Sequence, residues 1–255
     1  MNWASLSIIL PALAAGLLVA ATHVPLGAQV LARGIIFIDI AIAQIAGLGV
    51  LVADSFGFEA QGLVVQVSAL SAALLGALLL TWTERRWTEV QEAIIGVVFV
   101  LAATAQILLL AGNPHAGEHL KDLLVGQILW VNGQQLSVMA ALTALVLAIW
   151  YALRARGGRV LFYLLFGLSV TASVQLVGVY LVFATLIIPA LATRAATRHR
   201  TLKAYGVATA GYAIGLALSA WLDLPSGAAV VWTLAAAGVI VFGIEGKGAT
   251  APLKA

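Results

Sequence analysis

The chain has 255 residues, of which 63% are hydrophobic and 9% charged, with a formal net charge of +3 and no cysteine. A soluble domain carries roughly 25% charged residues, so this composition excludes one, and the missing thiols exclude disulfides and thiolate metal sites. The basic balance does not point to nucleic acid either, because the lysines and arginines fall in short connections between apolar runs and mark membrane topology.

The first apolar run, 3–22, has no basic leading region and no small-residue cleavage site. It reads as a membrane span rather than a signal peptide. Further spans are expected over 34–53, 62–82, 93–111, 136–153, 160–176, 178–192, 204–221 and 228–242. The sixth and seventh runs nearly touch, so the expected fold is an all-α polytopic membrane protein with a bundle of eight or nine transmembrane helices. It forms a single transmembrane domain over 1–255.

If all nine runs cross, Arg33, Arg85, Arg86, Arg154, Arg156, Arg159, Arg194, Arg198, Arg200, Lys203, Lys247 and Lys254 share one side and only Lys121 the other. The positive-inside rule then puts the C-terminus in the cytoplasm and the N-terminus outside. The outer loops carry Asp54, Glu59, Glu118, Asp122 and Asp223.

Within the spans the polar residues are few. Asp39 stands inside the second apolar run, where a carboxylate costs about 2.5–3.5 kcal/mol on insertion scales. That cost implies either a place on a transport pathway or a structural pairing in the bundle. Gln66, Gln106 and Gln175 are expected to hydrogen-bond between helices. Small residues at close spacing, such as Ala69, Ala72, Ala73 and Gly76, mark tight helix contacts. His23 and His199 are expected at the interface with water. In the outer loop, His115-Ala-Gly-Glu118-His119 offers two imidazoles and a carboxylate, a set suited to collecting zinc at the mouth, with a plain solvated loop as the other reading. Pro189 should kink or end the seventh run just before the basic stretch 193–203. The stretch Gly243-Ile-Glu-Gly-Lys-Gly248 lacks the spacing and the Ser/Thr of a phosphate loop. Energy must therefore come from an ion gradient or another subunit.

The sequence Val177-Gly-Val-Tyr-Leu-Val-Phe-Ala-Thr-Leu-Ile-Ile-Pro-Ala-Leu-Ala-Thr193, with basic residues after it, resembles a signature of the permease subunits of ABC importers for zinc, manganese and iron. Glu92-Ala-Ile-Ile-Gly96, Asp122-Leu-Leu-Val-Gly-Gln-Ile-Leu-Trp-Val131 and Leu222-Asp-Leu-Pro-Ser-Gly227 are similar to other family segments, in the family's order. The resemblance implies a metal-type ABC importer permease fold with no catalytic residue and no bound cofactor, zinc or manganese being the cargo. It implies as partners a cytoplasmic ABC ATPase subunit, an extracytoplasmic metal-binding protein and a second permease copy, in a bacterial inner membrane. It further implies a short coupling helix at about 190–203, placing Thr193, Arg194, Arg198 and Arg200 against the ATPase.

The family's second span reads Gly-Asp-Ala-(Ile/Leu)-(Ser/Ala)-His, and its Asp and His, four apart, are thought to bind the metal in transit. This chain reads Asp39-Ile-Ala-Ile-Ala-Gln44, with Ile40 and Gln44 at those positions. Asp39 comes one residue early, about 100° around a helix of 3.6 residues per turn. Asp39 and Gln44 are therefore the candidate pathway residues, and two other readings stay open. The cargo is a chelated metal or another small solute, or the chain is a secondary transporter with Asp39 as its ion site.

Overall fold

The computed structural model describes residues 3–58, 62–110, 124–153, 156 and 158–249. Among these are nine α-helices: α1 Trp3–Arg33, α2 Ile38–Ser55, α3 Leu63–Arg86, α4 Gln91–Leu110, α5 Gly133–Leu153, α6 Gly158–Val177, α7 Val179–Ala192, α8 Arg200–Leu222 and α9 Ser226–Ala249. Eight include segments long and apolar enough to cross a bilayer, and α7 is a shorter apolar helix. Short 3₁₀ turns at Thr88–Val90 and Ile128–Trp130 precede α4 and α5.

The helices run in alternate directions, as their cross-contacts show. A side chain added at Gly76 of α3 would meet Ile45 of α2, and one at Gly49 would meet Ala72 and the backbone at Ala69, which makes these two antiparallel. At one end of the bundle, Glu84 at the close of α3 meets Arg33 of α1 at 3.9 Å and Arg159 of α6 at 3.6 Å. Lys203 pairs with Glu245, and the Arg194 guanidinium lies 5.2 Å from the Phe242 ring centroid. Ala204 packs with Val24 near this end of α1. At the opposite end, Val125, Gly126, Gly178 and Gly227 crowd together. Every basic side chain described, from Arg33 to Lys203, thus stands at one end.

This arrangement resolves whether the sixth and seventh runs are one unit. Helix α6 starts beside Glu84, α7 finishes before Arg194, and the single residue Gly178 reverses the chain between them at the far end. Gly178 has φ +83°, and a Cβ there would overlap the backbone of Val125 and Gly126. Only glycine meets both demands. With 14 residues α7 spans about 21 Å, less than the roughly 30 Å hydrocarbon core. It can be short because protein surrounds it: ten of its residues are buried.

Helix α1 continues eleven residues beyond the expected end of the first span, through Pro25. A proline inside a helix cannot donate to the carbonyl four residues earlier, here that of Ala21. The Tyr205 hydroxyl of α8 donates to Ala21 O at 2.9 Å and supplies the missing partner. Pro189 acts more as expected: α7 ends three residues later, and the Thr193 hydroxyl donates to Pro189 O at 2.8 Å. The expected coupling helix is not a separate element, since 193–199 is a run of turns and bends.

His23 is fully buried with Nδ1 2.9 Å from Val19 O, not interfacial as expected, whereas His199 is exposed in the left-handed region at φ 53°.

Candidate functional site

A cavity of about 740 Å³ opens between α2, α4, α7 and α9. Ile40 and Gln44 face it from α2, Phe99 and Gln106 from α4, Phe183 from α7 and Trp232 from α9. Among the described residues, no charged one lines it. A groove of about 620 Å³ adjoins it, shares Ile40 and Phe99, and is bounded by Phe37 and Ala93. Where the two meet, the Phe37 ring stacks on Phe183, with centroids 6.3 Å apart.

The cavity's amides are paired with each other. Gln106 Nε2 donates to Gln44 Oε1 at 2.8 Å and to Gln44 main-chain O at 2.7 Å. The one oxygen that the Gln44 side chain can offer a cation already accepts a bond, so a cation there competes with Gln106. Gln106 thus makes the expected bond between helices and is also a cavity residue, which its sequence context did not signal. Gln66 and Gln175 do not make such bonds: both are exposed and neither side chain hydrogen-bonds another helix. Their side chains sit on outer faces of α3 and α6, and only the placement of neighbouring helices decides this.

Asp39 is not deep in the bilayer span, as its place in the apolar run suggested. It is the second residue of α2, because the chain turns at Gly34 and the helix begins only at Ile38. It is 1% exposed, with no hydrogen-bond partner for Oδ1. Ile40 faces the cavity and Asp39 does not, which agrees with the 100° offset. Glu92, in the first turn of α4, reaches the turn before α2. Its Oε1 accepts from the Phe37 N–H at 3.2 Å while its buried Oε2 has no partner. Sequence comparison marked Glu92 only as a family position.

Among the described residues no group of three or more His, Asp or Glu side chains is placed to hold a metal ion. The candidate outer-loop ligands His115, Glu118 and His119 lie outside the described residues. At the basic end, Thr193 is buried, while Arg194, Arg198 and Arg200 are exposed.

Comparison with known proteins adds a consistent set of likenesses. The model of the ABC 3 transport family matches residues 5–156 and 152–245. An uncharacterised membrane protein of Synechocystis is 26% identical over 242 residues, covering 86% of this chain and 84% of the relative. Among solved structures, PsaBC from Streptococcus pneumoniae in complex with Fab superposes with a TM-score of 0.72 at 21% identity, over 92% of this chain and 91% of that one. An inward-facing metal-chelate type ABC transporter gives a TM-score of 0.68 at 19% identity, over 94% of this chain and 85% of that one.

Proposed function

We propose, given that this chain belongs to the ABC 3 transport family, that it is the membrane-spanning permease of an ATP-driven importer of divalent metal ions, zinc or manganese. Its fold is that of metal-type ABC permeases. The observation that carries the reading is the cavity between α2, α4, α7 and α9, with Phe183 on its wall stacked against Phe37 of the adjoining groove. Such a chamber suits alternating access, in which cargo is held between two closures that open in turn.

In this reading the basic end faces the cytoplasm of a bacterial cell, following the positive-inside rule, and the C-terminus lies there. A separate ATPase subunit docks on the exposed turns at 193–199 and Arg200, an extracytoplasmic binding protein delivers cargo at the Gly126–Gly178 end, and a second copy completes the pathway. Thr193 joins the docking segment to α7 through its bond to Pro189. A push on Arg194, Arg198 and Arg200 is thereby carried along α7 to Phe183. The two Gln44–Gln106 pairs of such a dimer, one per copy, are the polar points of the pathway, and Asp39 flanks it.

One observation favours a second reading of the cargo. Ile40 and Gln44 give the cavity a neutral lining, and a bare divalent ion sheds its hydration shell poorly against aliphatic side chains and bonded amides. A metal carried within an organic chelate, or another small solute, fits that lining better. Reconstitution with the ATPase subunit in proteoliposomes separates the readings. ATP-dependent uptake of labelled zinc or manganese supports the free metal, uptake only in chelated form supports the second reading, and no ATP-dependent uptake of either refutes a metal cargo in both forms.

A further inference from the structure

We propose that Gln106 is the cavity residue that touches cargo and sets what the cavity accepts. Its side-chain oxygen receives a hydrogen bond from a donor carried on the metal, a coordinated water or an N–H of a chelate, and Gln44 is the positioning residue that aims it. The contact with cargo rests on the permease reading.

The Gln106 amide has a fixed orientation. Its terminal nitrogen lies 2.7 Å from the main-chain O of Gln44 and 2.8 Å from Gln44 Oε1. A main-chain carbonyl can only accept, so the atom facing it is the NH₂ group, and the flipped amide would set two oxygens against each other. One turn further along α2, Gly47 leaves the room that the amide occupies. A Cβ there would stand 3.1 Å from Gln106 Nε2 and 3.3 Å from Oε1. Helix α2 thus holds Gln106 with two acceptors and a missing side chain.

Both N–H bonds of Gln106 are given to Gln44, and the oxygen of the same amide is what remains. It accepts no hydrogen bond among the described residues, and Gln106 lines the cavity beside the hydrocarbon of Ile40 and Phe99. An acceptor left unmet in such surroundings costs free energy that an incoming donor recovers. Gln44 is the poorer contact for a cation. Its oxygen already accepts from Gln106, and its own NH₂ can only donate.

The lining decides what kind of donor arrives. A charge entering a wall with no charged residue among those described keeps whatever already solvates it. Metal-bound water is such a shell, and it is a strong donor because the ion lowers its pKa. An N–H on a chelate presents the same chemistry. The cavity of about 740 Å³ has room for either, since six waters fill about 180 Å³ at about 30 Å³ each.

The test is uptake kinetics of the chain reconstituted with its ATPase subunit in proteoliposomes, with labelled Mn²⁺ and Zn²⁺ supplied free and as their histidine complexes. Gln106→Met keeps the length of the side chain and lacks both polar groups. Its KM is expected to rise about tenfold with the maximal rate held within about twofold. In Gln44→Met the main-chain bond to Gln106 remains, so KM should rise about threefold or less. A rise seen with the free ions identifies coordinated water as the donor, and a rise confined to the histidine complexes identifies the chelate. A bond that merely ties α2 to α4 predicts equal losses of melting temperature and maximal rate in both variants with KM unchanged, and that result overturns the contact. So does a KM effect in Gln44→Met equal to or larger than that in Gln106→Met. If Gln106→Met fails to fold, Gly47→Ala decides, because it displaces the amide and keeps every polar group: a raised KM supports the contact and an unchanged one overturns it. Wild-type uptake of neither metal in either form removes the metal cargo and this contact together, whereas wild-type uptake with unaltered KM in Gln106→Met removes the contact alone.

Discussion

The rings of Phe37 and Phe183 lie within 7° of parallel, and they join the turn before α2 to the middle of α7. Phe183 faces the central cavity and Phe37 the adjoining groove, so the pair stands where the two spaces divide. An apolar constriction bars hydrated ions because they cannot keep their water while passing it. Phe183→Ala removes one wall. The expected outcome is an ATP-independent leak of labelled metal in proteoliposomes, with a fall in stability of about 0.5–1.5 kcal/mol beyond the area lost, as for one aromatic pair. A tight, still ATP-dependent variant would show that the closure lies elsewhere.

Ile40 and Gln44 face the cavity from one side of α2, four residues apart. Restoring the acid and imidazole of the related importers, in Ile40→Asp/Gln44→His, places two ligands on that face. Zinc affinity measured by titration calorimetry should rise by about tenfold or more, since a carboxylate and an imidazole are both zinc ligands. The change also removes the Gln106–Gln44 side-chain bond, at a cost of about 1 kcal/mol. No gain in zinc binding would mean that the cavity does not bring cargo to these positions.

Tyr205 supports α1 at a point where proline has broken the helix ladder. Tyr205→Phe leaves the Ala21 carbonyl unpaired inside the bundle, a loss of about 1–2 kcal/mol. For a chain of this size that lowers the melting temperature by about 2–4 °C per kcal/mol. Pro25→Ala restores an N–H at the site, so in that background Tyr205→Phe should cost much less. Equal losses in both backgrounds would show that the hydroxyl does not serve the proline gap.

These cases show what was legible in the sequence and what was not. All nine helices were readable as apolar runs, since lipid forces each crossing to satisfy its own backbone. The one-sided arginines likewise predicted the alternation that the Arg33–Glu84–Arg159 cluster displays. The extension of α1 past Pro25 was not readable, because its remedy, Tyr205, is remote in sequence. Nor could the sequence tell Gln106, bonded across to α2, from Gln66, which faces outward. In an all-apolar helix the pattern does not reveal which side meets protein and which meets lipid. Asp39 was misplaced in depth for a related reason: the apolar run starts at Gly34, four residues before the helix does.

The basic turn between α7 and α8 admits a test that separates docking from mere anchoring. Arg198 and Arg200 are exposed, and among the described residues neither forms an ion pair. Exposed charges of that kind contribute little to stability, so Arg198→Glu/Arg200→Glu should melt within about 1 °C of wild type. If the segment docks on an ATPase, the same change should reduce co-purification of that subunit and ATP-driven uptake about tenfold or more, because reversed rim charges oppose association. Arg85 and Arg86 close α3 at the same end of the bundle and are equally exposed, which makes Arg85→Glu/Arg86→Glu the matched control. Positive-inside anchoring counts charges on a side without regard to which loop carries them, and it therefore predicts equal losses for the two pairs. Docking predicts a loss confined to Arg198 and Arg200. Equal effects, or none in either pair, would remove the coupling role from 193–199. A selective effect would tie the ATPase to α7, and through α7 to Phe183, nine residues before that helix ends at Ala192.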